Sequence, residues 1–183
     1  MDKARPVSYS KTTITELMIP AYANFGGKIH GGIILSLMDK VAYACATRHA
    51  GTYCVTVSVE GVNFIHPINV GELVSLHASV NYVGNSSLVV GIRVVSENIS
   101  TCEKIHTNTS YFTMVAKGSD NKPYTIPELI LENEIDIRRF MEAMKRKELK
   151  ALYKDEFDNE ITSLKVRENL NVLINERCQI MEY

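Results

Sequence analysis

The sequence predicts an α+β fold built around one central helix. Three observations carry that expectation. Residues 31–50 are apolar on nearly every side, and a helix of that kind must be wrapped on most of its faces. The segments after it alternate in strand fashion, and no second helical pattern interrupts them before residue 128. Charge then splits the chain: residues 1–127 hold 18 charged side chains, and the shorter stretch 128–183 holds 23. Residues 1–127 are therefore expected to form the core domain, and residues 128–183 a solvated helical extension.

A first strand is expected near Ser8–Met18, stopped by Pro20, followed by a loop with Asn24, Gly26 and Gly27. The helix begins at Gly31 or Gly32 and fades at His49 and Ala50, with Gly51 as its C-terminal cap. Four strands follow as a meander. The first is Tyr53–Ile65. The second, Glu72–Val83, puts Val74, Leu76, Ala78, Val80 and Tyr82 on one side and Ser75, His77, Ser79 and Asn81 on the other. A tight turn at Gly84-Asn85-Ser86 leads to Ser87–Ser96, and Lys104–Ala116 is the last. Such a sheet, curling around the helix, would bury it. Beyond Leu129, residues Ile137, Phe140, Met141, Met144 and Leu152 recur at helical spacing, and a second, shorter helix is expected over Ser163–Glu176.

Composition narrows the function. A net charge of −1 offers no electrostatic case for nucleic acid or an anionic membrane. The longest apolar run, Ile33–Ala46, is too short and too charged to span a bilayer. No apolar region follows Met1-Asp2-Lys3, so no signal peptide is expected. The four cysteines, Cys45, Cys54, Cys102 and Cys178, are scattered, as reduced cytoplasmic thiols would be. Cys45 reads as a small core residue, His49 as a cap at the helix end, and His66 as packing beside Pro67. No histidine or cysteine pair has ligand spacing, so no metal site is expected.

One residue does not fit a purely structural helix. Asp39 interrupts the apolar run, and a buried lone carboxylate is costly unless it is paired or used. A solvent-facing acid, or one paired with the adjacent Lys40, is the plainer reading. The glycines of "GKIHGG" expose the first N–H groups of the helix, which lack intrahelical partners and suit an anion or a developing oxyanion; close packing of the helix entry would call for them equally. From Gly31 to Asp39 is about 12 Å along the axis at ~1.5 Å per residue. A carbonyl at the helix entry is therefore out of reach of the same chain's acid. If both features serve one site, it lies between two copies related by a two-fold.

The run "ANFGGKIHGG", an Asp in the helix, "RHAG" at its end, then "VNFIHP", "VGELV" and "VGNSS" resembles the hot-dog-fold acyl-CoA thioesterases, in particular the acyl-CoA hydrolase group of bacterial and brain-type cytosolic enzymes. The resemblance covers roughly Ile14–Pro127. It implies a curved antiparallel sheet around one helix, dimers that often assemble into trimers of dimers, and cytoplasmic hydrolysis of fatty acyl-CoA to free acid and CoA. No metal or organic cofactor is implied, since coenzyme A enters with the substrate. It makes Asp39 the general base or nucleophile, Asn24 a hydrogen-bond partner of the attacking water or thioester, and the Gly31 and Gly32 amides the cradle of the thioester oxygen. His30, Val57, Ser58, Asn85, Ser86 and Ser87 would contact substrate or CoA. Many relatives carry a basic residue where Asn85 stands; Lys117 and Arg93 are the candidate substitutes for phosphate contact. A hot-dog hydratase or dehydratase using His30 with Asp39, and a non-catalytic acyl-CoA sensor, are the alternatives.

Overall fold

The computed structural model describes residues 3–166 and 169–181. Two compact units divide after Ala143, so residues 128–143 belong with the first.

In chain order the first unit has β1 (Ala4–Pro6), α1 (Val7–Ser10), β2 (Thr12–Leu17), α2 (Gly31–Ala50), β3 (Cys54–Val59), β4 (Leu73–Val83), β5 (Ser87–Glu97), β6 (Lys104–Ala116), β7 (Glu128–Ile130) and the start of α3 (Glu134–Ser163). Strands β2-β4-β5-β6-β3 form one antiparallel sheet, and β1 pairs with β7 in a small parallel ribbon. The inner face of the five-stranded sheet packs on α2. Ile34, Leu37, Met38, Val41 and Ala42 meet Leu76, Val80, Val90, Ile92, Phe112 and Met114 in one cluster. Gly51 takes φ 72°, the left-handed conformation that a helix C-terminus favours and that glycine adopts without strain.

The far end of α2 is closed from outside the sheet. The Arg5 guanidinium donates to the carbonyls of Arg48 (3.1 Å) and His49 (2.7 Å), two of the orphan acceptors every helix C-terminus leaves. Burial pushes the thiols of Cys45 and Cys54 up to about 12 and about 11, so both remain protonated core side chains.

Several expectations need correction. Ser8–Ser10 form a helical turn rather than strand, because Ser8 donates through its backbone N–H (2.7 Å) and hydroxyl (2.8 Å) to Glu132, a partner no local pattern reveals. The strand expected over Tyr53–Ile65 ends at Val59; beyond it Glu60 and Ile65 are tied to β6 by single backbone bonds to Tyr111 and Thr107. Only β4, β5 and β6 run as a meander, since β3 crosses to the far edge beside β6. On β4 a bulge leaves Asn81 without a cross-strand partner in the register, and the alternation flips. Tyr82 therefore faces outward, its ring centroid 5.1 Å from that of Phe140. Asp39 is not buried in this chain. It lies on an exposed stripe of α2 with Gly32, Leu35, Ser36 and Tyr43, spaced three and four residues apart along one helical face.

In the second unit α3 continues to Ser163 with exposed apolar side chains, and Tyr153 stacks on Phe157. The helix expected over Ser163–Glu176 is replaced by a 3-10 turn at Leu170–Leu173; residues 167 and 168 of that span lie outside the described residues.

His49 generates a prediction. It is fully buried, with Nε2 3.1 Å from the Pro127 carbonyl, and its Nδ1 has no partner among the described residues. Burial, reinforced by the Arg5 charge and opposed by the Pro127 bond, lowers its pKa from 6.5. A base with a depressed folded pKa takes its proton first in the unfolded state. Stability is therefore expected to fall as pH drops below about 6.5, and His49→Gln should flatten that slope in urea titrations across pH 7 to 5. Leu76→Ala, which removes a fully buried side chain, is expected to cost about 2–5 kcal/mol by the same assay.

Candidate active site at the entry of the central helix

The loop before α2 is held by its own hydrogen bonds. Asn24 N–H donates to the Lys28 carbonyl at 2.7 Å, and Gly27 N–H donates back to the Asn24 carbonyl at 3.0 Å. Gly27 closes this turn at φ 74°, where a side chain would be strained. The Asn24 carboxamide oxygen accepts from the N–H groups of Gly26 (2.9 Å) and Lys28 (3.2 Å). With its oxygen so engaged, the amide group left to meet a ligand is the Nδ2 donor.

Two further contacts brace the loop against the sheet. Lys28 Nζ donates to Asn69 Oδ1, whose Nδ2 donates to Glu72, each at 2.5 Å. Ser96 adds a hydroxyl bond to the same carboxylate. Partial burial pushes the Glu72 carboxyl upward, but the bonds from Ser96 and Asn69 and the Lys28 charge outweigh it and hold the group below its usual range. The chain Glu72–Asn69–Lys28–Asn24 thus runs from the start of β4 to the loop.

Both glycines at the helix entry have a steric reason. A Cβ on Gly32 would fall 2.7 Å from the His30 ring, and one on Gly31 would fall 3.2 Å from the Phe64 ring. His30 is the N-cap: its Nδ1 accepts from Gly32 N–H at 2.9 Å, and its carbonyl accepts from Ile33 N–H. Gly31 N–H is the amide of this turn with no partner among the described residues. Asn24 and Gly31 share a cavity of about 420 Å³ with Lys28, Phe64, Ile65 and His66.

The remaining residues singled out from the sequence fall into two other groups. Asp39 sits two turns along α2 and does not line that cavity; its carboxylate accepts from the Thr56 hydroxyl of β3 at 2.7 Å. Val57 and Ser58 follow Thr56 at a register shift of the sheet-edge strand β3, with Val57 exposed. Asn85 and Ser86 lie in the β4–β5 turn and Ser87 opens β5; the Asn85 carbonyl accepts from Ile126 N–H at 3.0 Å and the Ser86 carbonyl from Ala116 N–H at 2.8 Å. Within one chain Asn24, His30, Gly31 and Gly32 are neighbours, whereas Asp39 belongs with Thr56 and β3. Sequence reasoning passed over Thr56, one of several β-branched residues in a strand, and the Asn69–Glu72 brace. A polar residue beside an apolar strand edge is the only local signal for Thr56.

Residues 26–103 match the thioesterase superfamily. Over 142 residues the chain is 49% identical to protein VdlD of Helicobacter pylori, covering 78% of this chain and 81% of that one. The chain belongs to the thioesterase superfamily. Solved structures agree with the fold. An apo-hexameric acyl-CoA thioesterase is 34% identical, with TM-score 0.81, covering 83% of this chain and 97% of that one. An acyl-CoA hydrolase from Staphylococcus aureus, solved with butyryl-CoA, CoA and CoA disulfide, is 26% identical, with TM-score 0.78, covering 87% of this chain and 97% of that one. Variants of that enzyme with an Asp or a Thr changed to Ala have also been solved, and the two positions are 17 apart, as Asp39 and Thr56 are here. This superfamily member is an acyl-CoA thioester hydrolase of the hot-dog fold.

The brace generates a prediction. Glu72→Ala is expected to speed amide exchange at Gly26 and Lys28 while the central turns of α2 stay protected. Unchanged exchange would show that the loop holds itself.

Proposed function

We propose that this thioesterase hydrolyses fatty acyl-CoA in the cytoplasm at a site completed by two copies of the chain: Asn24 and Gly31 from one, and Asp39 with Thr56 from the other. One observation supports it above the rest. The acid faces outward on the exposed stripe of α2, away from its own chain's amide donors. The same surface carries half-exposed Leu35, Tyr43, Val57 and Val59 beside β3, which has no strand partner on its outer side among the described residues. An apolar face next to an open edge favours a second copy joined strand to strand. Trimers of such dimers are part of the proposal.

The chemistry then needs little. Asp39 carboxylate takes a proton from water, and the water oxygen attacks the thioester carbon. The C=O electron pair moves to oxygen, where Asn24 Nδ2–H and Gly31 N–H hold it. Its return expels CoA as a thiolate, a good leaving group that takes up the proton. Direct attack by Asp39, with water cleaving the resulting anhydride, uses the same groups. The Thr56 hydroxyl orients the carboxylate and leaves its second oxygen for the reacting atom; the matching Asp–Thr spacing in the S. aureus variants supports this role. Gly32 N–H is engaged by His30, so Gly31 is the primary amide donor and Gly32 joins if the imidazole swings away. Val57 and Ser58 would flank the pantetheine arm and the Asn85–Ser87 turn its nucleotide end. Leu37, Met38 and Val41 are buried in their own core, so chain length is set instead around Phe64. Nothing in this scheme calls for a metal or an added cofactor.

Asp39→Asn is expected to lower kcat by about 10²–10⁴ in a chromogenic thiol-release assay, and Asn24→Ala by about 10²–10³, with the fold retained. Near-normal turnover in folded Asp39→Asn would remove it as the reacting group. Mixing Asn24→Ala with Asp39→Ala protein should restore part of the activity, because a heterodimer regains one intact site. No recovery despite proven subunit exchange would overturn the shared site.

A further inference from the structure

We propose that the outer face of the sheet carries a second binding site, for a small phosphate-rich anion, on the opposite side of the sheet from α2. A row of side chains crosses this face in register: Thr13 on β2, His77 on β4, Arg93 on β5 and Thr109 on β6. The first turns of α3 lie over one end of it, where Phe140 meets Tyr82 and Arg139 reaches Ser79 at 3.5 Å. Between them is a cleft of about 490 Å³, within the range of small-molecule sites.

Its charge is lopsided. Lys11, Arg93, Arg138 and Arg139 line it from three separate parts of the chain, against a single acid, Glu142. That acid sits 2.8 Å from Arg138. Arg93 has no hydrogen bond or ion pair with any described residue. A chain whose net charge is −1 thus gathers several cations around one cavity. Like charges lining one cleft repel, and a bound anion relieves that repulsion.

The floor is built rather than incidental. Ser79 and Asn81 are 8% and 5% exposed. The Ser79 hydroxyl donates to Asn81 Oδ1 at 3.0 Å, which fixes the amide with its Nδ2 toward β5. A Cβ at Gly91 would lie 2.2 Å from that nitrogen, so glycine at mid-strand keeps the space for it. Asn81 Nδ2 has no partner among the described residues and is not sealed from solvent. Guanidinium groups, an ammonium, hydroxyls and an amide donor lining one cleft match a phosphate's many acceptor oxygens better than a lone carboxylate. A cleft of about 490 Å³ fits a small molecule.

Two sources carry this chemistry: a free nucleoside diphosphate, and the phosphorylated tail of CoA reaching the cleft from a neighbouring copy. Calorimetric titration of the whole protein with ADP, with inorganic pyrophosphate and with CoA separates them. Saturable binding of ADP and pyrophosphate, weakened about tenfold or more by Arg93→Gln and by Arg139→Gln and unaffected by Asn24→Ala, supports a free-nucleotide site. If only CoA binding weakens in the two arginine variants, the anion is the tail of the substrate, and the site stands. The proposal is overturned if none of the three ligands binds saturably, or if both folded arginine variants bind all three as the wild type does. Arg93→Lys, which keeps the charge, should retain most of the binding.

Discussion

The central constraint is the burial of α2 on one side only. Its inward residues, from Ile34 to Ala50, supply much of the core, and the curled sheet can cover only that side. The remaining stripe, with Leu35, Asp39 and Tyr43, has to face something else. A carboxylate is tolerated there because the stripe is open to water in a single chain, and the Thr56 hydroxyl supplies the one oriented contact it needs. The same geometry separates the acid from the amides at its own helix entry.

At the helix entry, small residues do two jobs. The absence of side chains at Gly31 and Gly32 admits the rings of Phe64 and His30, which shape the cavity wall and cap the helix. It also leaves the Gly31 N–H beside a pocket and with no acceptor among the described residues. Asn24 shows a related economy. The loop consumes the carboxamide oxygen, so the side chain can only donate, and a group that can only donate suits a carbonyl turning into an oxyanion.

Much of this was legible in the residues. The extent of α2, its glycine C-cap and the spans of β4, β5 and β6 followed from apolar periodicity and turn chemistry, because those segments pack on near neighbours. Asp39 stood out because it interrupts an apolar run and Gly31 because it opens a helix, whereas Asn24 was marked only by the resemblance to the thioesterase motif. What stayed hidden depends on partners far along the chain. Ser8 turns helical because Glu132 holds it, β3 runs to the far edge to reach β6, and Thr56 matters only once it faces Asp39. The bulge at Asn81 reversed Tyr82 because one inserted residue shifts the parity of everything after it. Periodicity cannot register such an insertion unless the partner strand is known.

Arg5 links the beginning of the chain to the far end of this same helix. Its guanidinium closes the last turn of α2, and β1 beside it is fixed by β7. Loss of the Arg5 side chain or of the β1–β7 pairing would therefore fray α2 from the end opposite its glycine entry. Proteins altered only there would then differ in heat tolerance, although the helix entry itself is the same.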